Sequence, residues 1–253
     1  LFSHSYKDVF VLLRPINPVD EQRSSIEKYL SLVNRQLSTI MSCILNIETS
    51  TSVCSVALSA DGEVLFEKSS FEGPSHAALL GVYAEEAIAV TKEKGLKLDA
   101  VAVSSGPGSY TGLRIGVSVA KGLCFGYGIP LISIPTLEVL AVAALEQQNN
   151  ASDCLYCAML DARRMEVYAA VYDRALNVKR AIAADIVDEN SYLEFLNEAP
   201  VYFYGNGAAK CREKITHPNA HFIDDIHPLA KMMYPLAEKA VAREDYKDVA
   251  YFE

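Results

Sequence analysis

The segment 106–128, GPGSYTGLRIGVSVAKGLCFGYG, constrains the fold of this chain more than any other. It follows an apolar strand pattern, LDAVAVSS, and continues into a helical pattern of small and apolar residues. Gly106 and Gly108 permit a tight or left-handed backbone, and Ser109 or Thr111 can cap the helix. A strand that enters a helix through such a loop is typical of α/β layering.

The same loop directs backbone amides and a helix dipole at one point, which favours an anion. A second polar turn, NIETSTS at 46–52, follows another apolar strand and offers hydroxyls and amides; an ordinary Ser/Thr turn is the alternative. The Walker pattern is absent and the third glycine does not fit GxGxxG, so neither motif diagnoses nucleotide binding. Six residues are candidates for contact with phosphate: Glu48, Thr49, Ser50, Gly106, Gly108 and Ser109.

The helix after the loop carries small residues four apart at Gly112, Gly116 and Ala120. Each glycine in a helix interior costs roughly 1 kcal/mol relative to alanine, so close packing must compensate. This stripe favours an interface with another chain, and packing within the same chain is the alternative.

The chain divides into three parts. Residues 41–148 predict a first α/β lobe: a hairpin over 52–69, a helix from Ser75 to about Gly95, then alternating strands and helices. A polar stretch at 147–153 marks the boundary to a second α/β lobe over 149–253. That lobe contains a predicted helix at SYLEFLNE, a last helix kinked at Pro235, and a carboxyl end that stops abruptly. Residues 1–40 are interpreted as an extension of the gene model, or as a genuine amino-terminal arm.

Composition narrows the function classes. The net charge of −9 over 253 residues repels phosphate backbones, which disfavours stand-alone RNA binding. No apolar stretch approaches the roughly 20 residues that cross a bilayer, so we expect a cytoplasmic protein without a membrane segment.

Cysteine and histidine spacing gives weak signals. The six cysteines are expected to be buried free thiols. Cys154 and Cys157 form a CxxC, but a strand would place them on opposite faces. His217 and His221 have metal-site spacing, yet Pro218 and the lack of an apolar helical pattern favour a surface loop. No metal site and no catalytic residue is predicted.

Three segments together, ILNIETST, GPGSYTGLRIGVSVAKGL and DARRMEVY, resemble the TsaB (YeaZ) family between residue 41 and about residue 171. The resemblance implies a two-lobed actin-like, hexokinase-like ATPase fold (ASKHA), with mixed sheets flanked by helices. Glu48 stands where many relatives have aspartate, which weakens the case for phosphate chemistry at that turn.

The resemblance also implies a non-catalytic subunit that pairs with a TsaD-like catalytic protein and a TsaE-like ATPase. Their product is threonylcarbamoyladenosine beside the tRNA anticodon, with tRNA reached only through the complex. A homodimer is expected in isolation, and ATP or ADP in the complex rather than firmly on this chain. The expected interface consists of Ser75, His76, Leu79, Tyr83, Gly108, Gly112, Gly116 and Ala120.

Two alternatives stay open. TsaD relatives carry two metal-binding histidines on a first-lobe helix, whereas the corresponding HAALL at 76–80 has one. A glycoprotease-type metallopeptidase is therefore disfavoured. A stand-alone small-molecule kinase of the same fold is the other alternative.

Overall fold

The computed structural model describes residues 42–73, 76–147 and 154–252. The predictions for residues 1–40 and for Ser75 lie outside these residues. Two mixed five-stranded sheets with helices on their faces make up the described chain. The α/β class and the two-lobed arrangement of mixed sheets flanked by helices are confirmed.

The first sheet has the order β3-β2-β1-β4-β5, in which β2 runs antiparallel to β1 and β3, while β4 and β5 run parallel to β1. The predicted hairpin is confirmed, and its turn is made by Asp61 and Gly62, both with positive φ. The strands are β1 (Cys43–Glu48), β2 (Cys54–Ala60), β3 (Glu63–Ser70), β4 (Ala100–Ser104) and β5 (Leu131–Ile134).

Three helices accompany this sheet: α1 (His76–Glu93), α2 (Tyr110–Tyr127) and α3 (Thr136–Gln147). Ser109 caps α2 by accepting a hydrogen bond from the Gly112 amide at 3.3 Å, as predicted, and Gly128 ends the helix in a left-handed conformation. Helix α3 is apolar on nearly every side because it lies between the two sheets. No helix of the described residues is both long and apolar enough to cross a bilayer.

The second sheet repeats the strand order of the first, as β8-β7-β6-β9-β10. Strands β8 and β10 were not predicted. The predicted helix at SYLEFLNE is only one turn. The predicted last helix is divided into a 3-10 turn over Ala230–Met233 and an α-helix from Tyr234, so Pro235 lies in a first helical turn, where it is tolerated. The elements are β6 (Leu155–Asp161), β7 (Glu166–Tyr172), β8 (Val178–Ile186), α4 (Leu193–Leu196), β9 (Val201–Tyr204), β10 (Ala220–Ile223) and α5 (Tyr234–Ala242).

The cysteine predictions are confirmed. Cys154 packs in the apolar core between the sheets, whereas Cys157 packs in the core on the outer face of the second sheet. All six cysteines are buried, and none of them forms a disulfide bond.

The chain after β10 returns to the first lobe. The Ala230 amide donates to Ser55 Oγ at 2.8 Å, and Glu238 Oε1 accepts from the Gly62 amide at 2.8 Å. Lys247 bridges to Leu131 at the edge of the first sheet. The second-lobe boundary of 149–253 is therefore corrected: the described residues from about 226 onward complete the first lobe.

Candidate functional site

A cleft of about 930 Å³ lies where the two lobes meet. Its first-lobe wall consists of the turn after β1 and the amino-terminal ends of α1 and α2, and its second-lobe wall of the β6–β7 turn and the loop after β9. The lining residues are Ser50, Thr51, Ser52, His76, Ala77, Gly108, Ser109, Tyr110, Thr111, Gly112, Ile115, Leu160, Asp161, Ala162, Arg163, Tyr168 and Asn206.

The turn after β1 forms the floor of this cleft, and Glu48, the last residue of β1, has a buried carboxyl group next to that turn. Glu48, Thr49 and Ser50 are almost completely inaccessible to solvent. Glu48 Oε1 accepts a 2.6 Å hydrogen bond from the Ser50 amide, while Oε2 has no partner among the described residues. Burial raises the pKa of Glu48 to about 7, and nearby hydroxyl and amide groups of Ser50, Ser104 and Thr49 oppose that rise.

Helix α2 holds this turn in place through its first two turns. The Ser109 amide donates to the Ser50 carbonyl at 2.6 Å, and Thr49 Oγ1 donates to the Gly112 carbonyl at 2.8 Å. A Cβ atom at Gly108 or Gly112 would overlap backbone atoms of this turn. These glycines are therefore required by close approach of the two backbones.

The six phosphate candidates are only partly brought together. Ser50 lies against Gly108 and Ser109 at the cleft floor, whereas Thr49 packs against Gly112 and Glu48 does not line the cleft. Gly106 does not line the cleft; its carbonyl accepts from the Thr136 amide at 2.9 Å, at the start of α3.

The small-residue stripe of α2 faces inward, which corrects the expectation that it meets a partner. Gly112, Gly116 and Ala120 are buried, and a Cβ at Gly116 would overlap Thr49 Oγ1. The close backbone approach that the spacing indicates is made within the chain, by the turn after β1.

The α1 residues expected at an interface are also largely covered. His76 and Tyr83 are buried, and Leu79 is half-buried against the first-lobe core. His76 Nε2 has no hydrogen-bond partner among the described residues. Four residues further along α1, Leu80 is fully packed in that core, so an apolar side chain stands where a second helical histidine would lie.

No group of three His, Cys, Asp or Glu side chains in the described ranges could hold a metal ion. His217 is half-buried in the loop before β10, whereas His221 is exposed on β10 itself. The predicted surface loop is thus part strand.

The β6–β7 turn forms the opposite wall and is held by a side chain that the sequence did not point to. Lys210 Nζ donates to Asp161 and to the carbonyls of Arg164, at 2.8 Å, and Glu166, at 2.6 Å. The hydrogen bond from Lys210 lowers the pKa of Asp161. Asn206 Oδ1 accepts from the Asp161 amide at 2.9 Å. Lys210 and Asn206 follow the turn by more than 40 residues, so no local pattern identifies them.

The outward face of α2 is open. Tyr110 is 70% exposed and Phe125 is 87% exposed, and a Cβ at Gly122 would meet no atom within 4 Å. A groove of about 500 Å³ runs from Ala77 at the start of α1 along α2 to Ser118. This face, rather than the buried stripe, is accessible to another molecule.

Sequence comparison places these features in context. A family model described as "TsaD: tRNA N6-adenosine threonylcarbamoyltransferase" matches residues 72–251. The Escherichia coli (strain K12) protein named "tRNA threonylcarbamoyladenosine biosynthesis protein TsaB" is 38% identical over 136 residues, which are 53% of this chain and 56% of that protein. The Bacillus subtilis (strain 168) protein of the same name is 30% identical over 68% of this chain and 74% of its own length. The match to the Escherichia coli relative thus spans little more than half of that protein.

A solved structure described as YeaZ from Pseudomonas aeruginosa is similar over most of the chain. It superimposes with a TM-score of 0.70 at 28% identity, and the match covers 83% of this chain and 97% of that one. The likeness therefore extends beyond the three sequence motifs into the second lobe.

Proposed function

The chain belongs to the TsaB (YeaZ) family, and from this membership we propose that it is a non-catalytic subunit in the formation of threonylcarbamoyladenosine in tRNA. Its partners are a TsaD-like catalytic subunit and a TsaE-like ATPase, and tRNA meets it only within that complex. The net charge of −9 supports the last point, since the chain as a whole repels nucleic acid.

The observation that carries this proposal is the contrast between the two faces of α2. One face is fixed against the turn after β1, whereas the other presents Tyr110, Phe125 and open space around Gly122. Exposed aromatic side chains beside small residues are favourable for helix docking, because they supply contact area without blocking close approach.

The groove beside this face adds a specific contact point. Arg114 stacks its guanidinium 4.5 Å from the centre of the Tyr110 ring, so an aromatic residue and an arginine are held together at the groove. Aromatic residues and arginine are enriched at protein interfaces. We therefore assign this face to the TsaD-like subunit, or to a second copy of the chain when that subunit is absent.

Reconstitution tests the function directly. Threonylcarbamoyladenosine would be measured in tRNA incubated with the cognate TsaD-like and TsaE-like proteins, with and without this chain. We expect modification to depend on the chain. Full modification in its absence contradicts a subunit role.

The docking face is tested by Gly122→Leu, which adds bulk where the chain itself has room. Capture of the TsaD-like protein should weaken at least tenfold, with the thermal midpoint nearly unchanged. Ala181→Leu, on the exposed edge strand β8, is the control and should bind normally. If both variants bind the TsaD-like protein with equal affinity, this face of α2 is not part of the interface.

A further inference from the structure

The actin-like ATPase fold implies ATP or ADP in the cleft between the lobes, and the cleft floor shows whether its residues suit a phosphate group. A phosphate needs several free amide or hydroxyl donors directed at one point. The turn after β1 has such a donor in the Ser50 amide, but that amide already donates to Glu48 Oε1 at 2.6 Å. The Ser50 amide is therefore not available to a phosphate group on the cleft floor.

The carboxyl group that holds this donor is fully buried. Glu48 is 0% exposed, and the Ser104 hydroxyl and the Thr49 amide lie close to its carboxyl group. The Ser50 hydroxyl lies close to it without a well-formed hydrogen bond of its own. The Ser50 amide thus binds one oxygen of the carboxyl group as it would bind an anion, while Oε2 has no partner among the described residues.

Contacts between helix α2 and this turn use two further donors. The Ser109 amide, which would otherwise be free at the start of the helix, donates to the Ser50 carbonyl. The Thr49 hydroxyl is used by the Gly112 carbonyl. Three donors near the floor are therefore satisfied by atoms of the chain itself.

We propose that the Glu48 side chain is a built-in substitute for a bound anion, which occupies the donors of the turn after β1 and keeps phosphate groups off the cleft floor. Removal of this side chain leaves the donors of the turn after β1 open to a small oxyanion. The ligand is a small carboxylate or a phosphate. Formate and inorganic phosphate are used as separate probes to distinguish these two classes.

The test is Glu48→Ala, which leaves the Ser50 amide without its acceptor. We expect formate to stabilise this variant, with the folding equilibrium constant rising about tenfold when formate is at about ten times its Kd. Inorganic phosphate should do the same if the vacated space admits a tetrahedral anion. The unsubstituted protein should respond to neither anion, nor to ADP, beyond the effect of sodium chloride at equal ionic strength.

Two further variants separate anion binding from loss of packing. Glu48→Gln keeps an oxygen acceptor for the Ser50 amide and should not respond to formate. Glu238→Ala also removes a carboxylate that accepts from a backbone amide, but at a half-exposed site far from the cleft, and should show no formate response either. An equal response of Glu238→Ala, or none in Glu48→Ala, overturns the proposal.

The unsubstituted chain provides a test that does not depend on a variant folding. ADP or phosphate would be titrated while the amide resonances of Thr49, Ser50 and Ser109 are followed by NMR. We expect these resonances to stay in place. A saturable shift of the Ser50 resonance would show phosphate at the cleft floor and overturn the proposal.

Discussion

The two sheets have the same strand order, yet the turns that join their first two strands are fixed in different ways. The turn after β1 is buried and clamped by backbone contacts with α2. The turn after β6 is exposed, with Arg163 and Arg164 at positive φ, and the side chains of Lys210 and Asn206 hold it from outside. The same position in the fold is thus stabilised by close backbone packing in one lobe and by side-chain hydrogen bonds in the other.

This difference indicates which wall of the cleft can change its conformation. Backbone atoms in contact leave no room for movement, so the first-lobe wall is fixed. Hydrogen bonds to a solvent-accessible ammonium group break and re-form at low cost, so the second-lobe wall can change shape.

Gly112→Ala should have the largest effect, because it breaks the packing of the fixed turn. The added methyl group overlaps the Thr49 carbonyl, and either α2 or the turn must move. We expect a loss of about 3 kcal/mol in the free energy of unfolding, as for other overpacked sites. Urea denaturation would measure it, and a loss below about 0.5 kcal/mol would show that the backbones are not in firm contact.

Glu48→Gln tests the buried turn through the dependence of the free energy of unfolding on pH. The pKa of Glu48 is about 7 in the folded chain, above its ordinary value of 4.5, so the unfolded chain ionises first as pH rises. The unsubstituted protein should therefore lose up to about 3 kcal/mol from this group between pH 4.5 and 7. Glu48→Gln lacks that loss.

Urea denaturation of both proteins at pH 5 and pH 8 checks this. The stability of Glu48→Gln relative to the unsubstituted chain should increase with pH. A difference between the two proteins that is constant with pH would mean that Glu48 ionises normally.

Lys210→Ala should break the exposed turn at a smaller cost, about 1 kcal/mol, since solvent screens the contacts that it removes. Amide hydrogen exchange should accelerate at Arg163 through Glu166. Exchange at Thr49 and Ser50 should stay slow. Faster exchange at both turns would mean that the two walls are coupled.

Gly122→Ala should have the smallest effect and the opposite sign. The position is helical, exposed and free of neighbours, so alanine gains up to about 1 kcal/mol of helix propensity. A higher thermal midpoint would confirm that the two faces of α2 differ in the room they have for a side chain. A lower midpoint would place unseen contacts on the outer face.

Sequence patterns predicted the first lobe well because its strands and helices have clean periodicities and clear turn residues. Strand β8 was missed because two irregularities in its pairing with β7 interrupt the alternation of buried and exposed residues. Strand β10 is only four residues long and has no fully buried position, so it gives little signal.

The site was harder to predict, and for a physical reason. Spacing identifies Gly112 and Gly116 as positions of close backbone approach, but the approaching element lies more than 60 residues earlier in the chain. Nothing local shows that Glu48, a carboxylate between Ile47 and Thr49, is completely buried. Both facts depend on tertiary packing, which a single sequence pattern does not contain.

The return of the carboxyl-terminal segment to the first sheet matters for synthesis on the ribosome. The Ser55–Ala230 and Gly62–Glu238 contacts join residues 175 and 176 positions apart. The first sheet, although it leaves the exit tunnel early, therefore stays partly uncovered until the second lobe has emerged. Such long-range closure slows folding, so the nascent first lobe is the stage at which we expect chaperone binding.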